Sequence, residues 1–141
     1  MATKKLSKIL LLIYSLLLIW ILLFKLSLSF SEITESLAHP MRSINLIPFQ
    51  DSMIVNGKVA LNEILLNAVI FAPLGVLLGI SAKNWSFLRK IGFIFLFSFV
   101  IEMLQFILGI GATDATDLLM NFVGGFLGLI FYQGLKQVIP E

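Results

Sequence analysis

From Ile9 to Phe24 the chain carries no charged side chain, and from Ile64 to Ala82 it again carries none. A third apolar stretch, about 88–108, is interrupted past its basic start only by Glu102; a fourth, about 115–135, has Asp117 and Asn121 in its first turns. A run of roughly 20 apolar residues is what an α-helix needs to cross a bilayer. In lipid every backbone amide and carbonyl must be satisfied internally, so only helices and closed barrels span. Runs this long and unbroken fit helices. The sequence therefore predicts an all-α integral membrane bundle of four transmembrane helices, a single membrane domain over 1–141 with spans at about 9–30, 64–82, 88–108 and 115–135.

Composition agrees with this reading. Hydrophobic residues make up 59% of the chain and charged residues 13%, too apolar for a domain that water alone surrounds. The absence of cysteine excludes disulfides, thiolate metal sites and cysteine nucleophiles. Lys4, Lys5 and Lys8 before an apolar run resemble a signal peptide, but Leu26-Ser27-Leu28-Ser29-Phe30 offers no small-residue cleavage site. The run is expected to stay as the first helix, reaching Phe30 while Lys25 snorkels outward. Pro73 within the second span removes a backbone donor and is expected to kink it.

Basic residues fix an expected orientation. Lys4, Lys5, Lys8, Lys83, Arg89, Lys90 and Lys136 fall on one side of the spans, against Lys25, Arg42 and Lys58 on the other. The richer side is expected to be cytoplasmic, with both termini inside. Basic residues clustered at helix ends read as membrane anchors, and nucleic acid is not an expected partner. Between the first two spans a long outer loop, about 31–61, contains His39-Pro40 and an apolar, proline-bearing stretch; it is expected to pack on or dip into the outer interface and cap the bundle's mouth.

Asn67, Glu102 and Asn121 each lie a turn or so below the outer end of their helix at ~1.5 Å of rise per residue. Glu63 and Asn67, Glu102 and Gln105, and Asp117 and Asn121 are spaced i, i+3 or i, i+4, so each pair shares a helix face. A carboxylate facing lipid costs about 2.5–3.5 kcal/mol or more, which turns Glu102 toward the bundle interior. The same faces carry Gly75-x-x-x-Gly79 and Gly124-x-x-x-Gly128, read as helix packing. Asp114 and Asp117 also suit a plain role at a helix start, with Asp114 or Thr113 as cap. His39 reads as a solvated loop histidine, and Tyr14, Trp20 and Trp85 as interfacial or packing aromatics. The sequence supports no phosphate-binding glycine loop, zinc-type histidine pair or serine-histidine-aspartate set, and no metal or cofactor is expected.

Four pieces now occur in order: Asn45-Leu46-Ile47-Pro48-Phe49, Asn67-x-x-x-Phe71-x-Pro73-Leu74-Gly75, Glu102-x-x-Gln105, and Asp114-x-x-Asp117-x-x-x-Asn121-x-x-Gly124. Together, over about 45–128, they resemble the motif set of VanZ-like membrane proteins. The resemblance implies a bacterial cell-envelope setting and a link to teicoplanin resistance, with which the protein that gives the family its name is associated; it supplies no reaction. Three functions follow as expectations. In the first, Asn67, Glu102, Gln105, Asp114, Asp117 and Asn121 line an outward-facing cavity that binds a membrane lipid, a lipid-linked wall precursor or a lipoglycopeptide, with Phe71 and Phe106 receiving its chain. In the second, the protein is an enzyme on a lipid-linked substrate, with Glu102 as general base and Asp114 and Asp117 as oxygen ligands for a cation. In the third, the glycine faces dock another membrane protein.

Overall fold

In the computed structural model, which describes residues 2–24, 30–50, 54–55, 58–59 and 61–138, the chain runs α1 (Ala2–Phe24), α2 (Phe30–Ala38), β1 (Met41–Asn45), β2 (Ile54–Val55), β3 (Lys58–Val59), α3 (Leu61–Ser81), α4 (Phe87–Leu108), β4 (Ile110–Asp114) and α5 (Ala115–Val138). Four of these helices, α1, α3, α4 and α5, are long and apolar enough to cross a membrane. Leu12, Leu16, Val69, Leu96, Ile107 and Phe131 are exposed on their outer faces, as lipid-facing residues are. The chain is a membrane protein.

Hydrogen bonds between helices set their directions. The Ser81 hydroxyl donates to the Ser7 carbonyl (2.8 Å), the Gln105 amide to the Leu22 carbonyl (3.0 Å) and the Asn67 amide to Asp117 (2.6 Å). Hence α1 and α4 run one way and α3 and α5 the other. The starts of α1 and the ends of α3 and α5 share one end of the bundle, the terminal end below; Asn67, Glu102 and Asp114 share the opposite, polar end.

The closest helix pair is α3 with α5. A Cβ on Gly124 would meet the backbone of Ala68, one on Gly128 the backbone of Ala72, and one on Gly75 the Gly125 carbonyl. Only hydrogen at these positions lets the two backbones touch. Lipid tails are as apolar as leucine, so this close packing, more than burial itself, holds the helices together. The glycine faces read as helix packing thus pack against each other. Around them Leu18, Phe71, Leu74, Leu78, Ile94, Ile101 and Leu129 form the core. The helix α3 continues unbroken through Pro73, which faces outward into an open apolar groove with Val69, Val76 and Phe131.

The connection between the first two spans carries more structure than a loop. It holds the short helix α2, the antiparallel pair β2–β3, and β1, which pairs in parallel with β4 so that Asn45 stands opposite Asp114. Gly109 makes this possible. At φ +66 it caps α4 in the left-handed region, its N–H reaching the Gln105 and Phe106 carbonyls, and a Cβ there would strike Pro40. The chain then turns back into β4 beneath the earlier segment. The first span, expected to reach Phe30, is described to Phe24, and Phe30 opens α2. Lys25 and its expected snorkelling lie outside the described residues.

Candidate functional site

At the polar end, β1 and β4 lie over the tops of α4 and α5 and bring the acids together. Asp114 is 4% exposed and uses both carboxylate oxygens: Oδ1 accepts from the Thr116 N–H (2.7 Å) and Oδ2 from the Asn45 amide (3.3 Å). The first of these bonds caps α5, satisfying one of the amides that a helix start leaves unpaired. The cap expected at Asp114 is therefore present, and the same side chain also holds the motif residue Asn45. The Asp114 N–H in turn donates to Oε2 of Glu102 (3.3 Å), and the Thr113 hydroxyl to the Glu102 carbonyl (3.3 Å). Glu102, 3% exposed, faces the interior.

Asn45-Leu46-Ile47-Pro48-Phe49 folds by a second set of local bonds. Oδ1 of Asn45 accepts from the Ile47 N–H (3.1 Å), an Asx turn, and the Gln50 N–H reaches the Ile47 carbonyl (3.4 Å). Pro48 and Phe49 are then the central pair of a β-turn. Phe49 has φ +64, a conformation usually left to glycine at this position. The Phe49 N–H donates to the Thr116 hydroxyl (2.9 Å), which fastens the strained turn to α5. Ile44, Leu46, Ile47 and Phe49 are all exposed, forming an apolar ridge beside the buried acids.

The remaining expected site residues divide. Asn67 on α3 bonds Asp117 on α5, so that pair lies at the level of the acids. Asn121, one turn deeper, is fully buried, and neither its amide nitrogen nor its amide oxygen has a hydrogen-bond partner among the described residues. Gln105 is 6% exposed; its nitrogen goes to α1 at Leu22 while Oε1 has no partner among the described residues. Phe71 is fully enclosed in the core and packs edge-on against Phe97 at 6.1 Å. Glu63 and Arg42 have no described side chain. Thr113, the alternative cap, instead bonds the Glu102 carbonyl, and Thr116 was not singled out by sequence; the signal was Asp114-x-Thr116, the spacing at which a capping carboxylate meets the second amide of a helix.

A family model described as VanZ/LLP1 matches residues 11–137. The chain belongs to the VanZ/LLP1 family. Protein VanZ of Enterococcus faecium is 42% identical to it over 129 residues, covering 92% of this chain and 74% of that protein. No solved structure matches it. In this VanZ-like chain the motif residues thus have distinct physical tasks: Asn45, Pro48 and Phe49 build the turn, Phe71, Gly75, Gly124 and Gly128 pack the bundle, and Asn67, Glu102, Asp114 and Asp117 tie the polar end together.

The Asp114 carboxylate does the most structural work at this end of the VanZ-like fold. Asp114→Ala removes the α5 cap, which typically contributes about 1 kcal/mol, and the anchor of Asn45. Hydrogen exchange in detergent is expected to show faster exchange at residues 43–50 with little change in the middle of α3. Equal protection of that segment in the variant and the parent would contradict the assignment.

Proposed function

We propose that this VanZ-like protein lies in the bacterial cell membrane with both termini cytoplasmic and its polar end outward, where it binds an amphiphile of the outer leaflet. A lipid-linked wall precursor or the lipid tail of a lipoglycopeptide is the ligand class, and tolerance to teicoplanin is the expected consequence. The observation that carries this reading is the hydrogen-bonding capacity that Asn121 and Gln105, both buried, leave unpaired among the described residues, Gln105 standing one turn along α4 from the buried Glu102. An unsatisfied buried amide costs about 1–3 kcal/mol, so a native fold keeps one where something else completes it. The ligand's sugar, peptide or phosphate head is the completing group, and its chain lies along Ile44, Leu46, Ile47 and Phe49.

Among the alternatives, binding is favoured over catalysis by the use the acids already have. Both oxygens of Asp114 and one of Asp117 accept hydrogen bonds that hold β1, α3 and α5 together, as structural carboxylates do. The test is Glu102→Gln, which keeps the shape of the side chain and removes its charge. Loss of one charge-assisted bond to the ligand, about 1.5–3 kcal/mol, corresponds to roughly 10–100-fold weaker binding. Cells expressing the variant are expected to label with a fluorescent lipoglycopeptide as cells lacking the protein do, and to lose tolerance. Labelling and tolerance identical to the parent would refute the assignment of Glu102 to the site.

A further inference from the structure

At the terminal end a cavity of about 310 Å³ opens between α1 and the turn joining α3 to α4. Its polar wall is made by Lys8 of α1, Ser81 at the end of α3, and Lys83 and Asn84 of the turn; Leu11, Leu78 and Phe93 make its apolar floor. Among the described residues, no acid lines it. The walls are fixed by direct bonds. Ser81 is tied to the Ser7 carbonyl (2.8 Å), which holds α1 against α3, and Lys8 and Lys83 line the same cavity. Trp85 packs edge-on against Phe93 at 5.9 Å, and the Arg89 guanidinium lies 5.9 Å from the centre of its indole ring.

Position and charge together select the occupant. The spans end at Ser81 and begin again at Phe87, and Lys8 stands three residues inside the first span from Lys5, so the cavity lies at headgroup depth. A soluble anion would use the lysines and leave the apolar floor bare. An anionic phospholipid uses both, placing its phosphate between the two ammonium groups and its first acyl carbons along Leu11 and Phe93, with Trp85 at the interfacial level that tryptophan favours. We infer that this cavity is a binding site for one anionic glycerophospholipid, held by Lys8 and Lys83, distinct from the polar end. The inference is independent of which leaflet this end of the bundle faces.

Each lysine near a membrane surface strengthens anionic-lipid binding by roughly fivefold. The full chain, purified in a neutral detergent, is titrated with phosphatidylglycerol and, in parallel, with phosphatidylcholine, and retained lipid is counted by native mass spectrometry. One phosphatidylglycerol is expected to be retained per chain in preference to phosphatidylcholine. In Lys8→Gln/Lys83→Gln its apparent affinity is expected to fall roughly 25-fold. The charge-matched control Lys5→Gln/Lys136→Gln, outside the cavity, is expected to keep it, and Lys8→Arg/Lys83→Arg to restore it. Equal loss in both glutamine variants would reduce the effect to bulk charge and overturn the site. Equal retention of phosphatidylcholine, or displacement of the lipid by glycerol phosphate at a comparable concentration, would overturn the lipid assignment.

Discussion

Gly128→Leu is expected to separate α3 from α5 and to cost about 3 kcal/mol or more. Overpacking a core usually costs about 1–3 kcal/mol because the obstructing atoms are side-chain ends that can turn aside. At Gly128 the obstruction is the backbone of Ala72, carbonyl included, and it can yield only if the helices part. The glycines therefore form an ordered series. Gly75, Gly124 and Gly128 meet backbone and are expected to be the most damaging positions; Gly79 meets the Tyr132 ring, which can rotate, and is expected to be milder. Gly92 has nothing within 4 Å, and Gly92→Ala is expected to be neutral or to stabilise by up to about 1 kcal/mol through helix propensity. The measurement is unfolding by sodium dodecyl sulfate in mixed micelles. The individual helices stay inserted in such an experiment, so it reads helix association, and coincident midpoints for Gly128→Leu and Gly92→Ala would mean that α3 and α5 do not touch as described.

The same helix pair shows what a sequence of this kind discloses and what it withholds. Hydropathy gives the spans because lipid imposes one physical demand on each of them: 64–82, 88–108 and 115–135 became Leu61–Ser81, Phe87–Leu108 and Ala115–Val138. At the beginning of the chain α1 starts at Ala2, before the apolar run opens at Ile9. Charge at Lys4, Lys5 and Lys8 ends an apolar run without ending a helix. The small-residue spacing marked Gly75, Gly124 and Gly128 as contact positions, but it could not name their partner, because a glycine face fits a neighbouring helix of the same chain as well as one from another.

Pairing of β1 with β4 was invisible for a different reason. Its residues are distant in sequence, each strand is short, and parallel pairing leaves no hairpin signal between them. As a result Asn45, Pro48 and Phe49 were known only as a family pattern. Their physical cause, an Asx turn leading into a strained β-turn fastened by Thr116, needed the neighbouring α5 to be in place. Helical rise alone put Asn67, Glu102 and Asn121 at one level; in the fold Asn67 bonds Asp117 and Glu102 reaches the Asp114 amide, while Asn121 lies one turn deeper on α5. Gln105, sharing a helix face with Glu102 by spacing, instead sends its amide to α1. Spacing gives the face of a helix and leaves open which neighbour occupies it.

Asn121→Leu is expected to leave the protein as stable as its parent, within about 1 kcal/mol, while abolishing tolerance. Leucine has the branching of asparagine, with two methyl groups in place of the amide atoms. It removes an unsatisfied polar group worth about 1–3 kcal/mol of destabilisation and adds volume that costs a similar amount, so the two effects nearly cancel. An amide whose only task was interhelical bonding would behave otherwise: its loss would weaken the fold along with function. Asn121 has no such bond among the described residues, and its fully buried position within the α5 face that also carries Gly124 and Gly125 excludes a solvent-exposed role. A site that binds through Asn121 loses roughly 10-fold or more in affinity when the amide goes, since a polar head group is then left facing methyl groups. Unfolding midpoints in mixed micelles and teicoplanin tolerance of expressing cells, measured on the same variant, separate the two cases. Unchanged tolerance in a variant that still folds would remove Asn121 from the site, and with it the main physical argument for a ligand at the polar end.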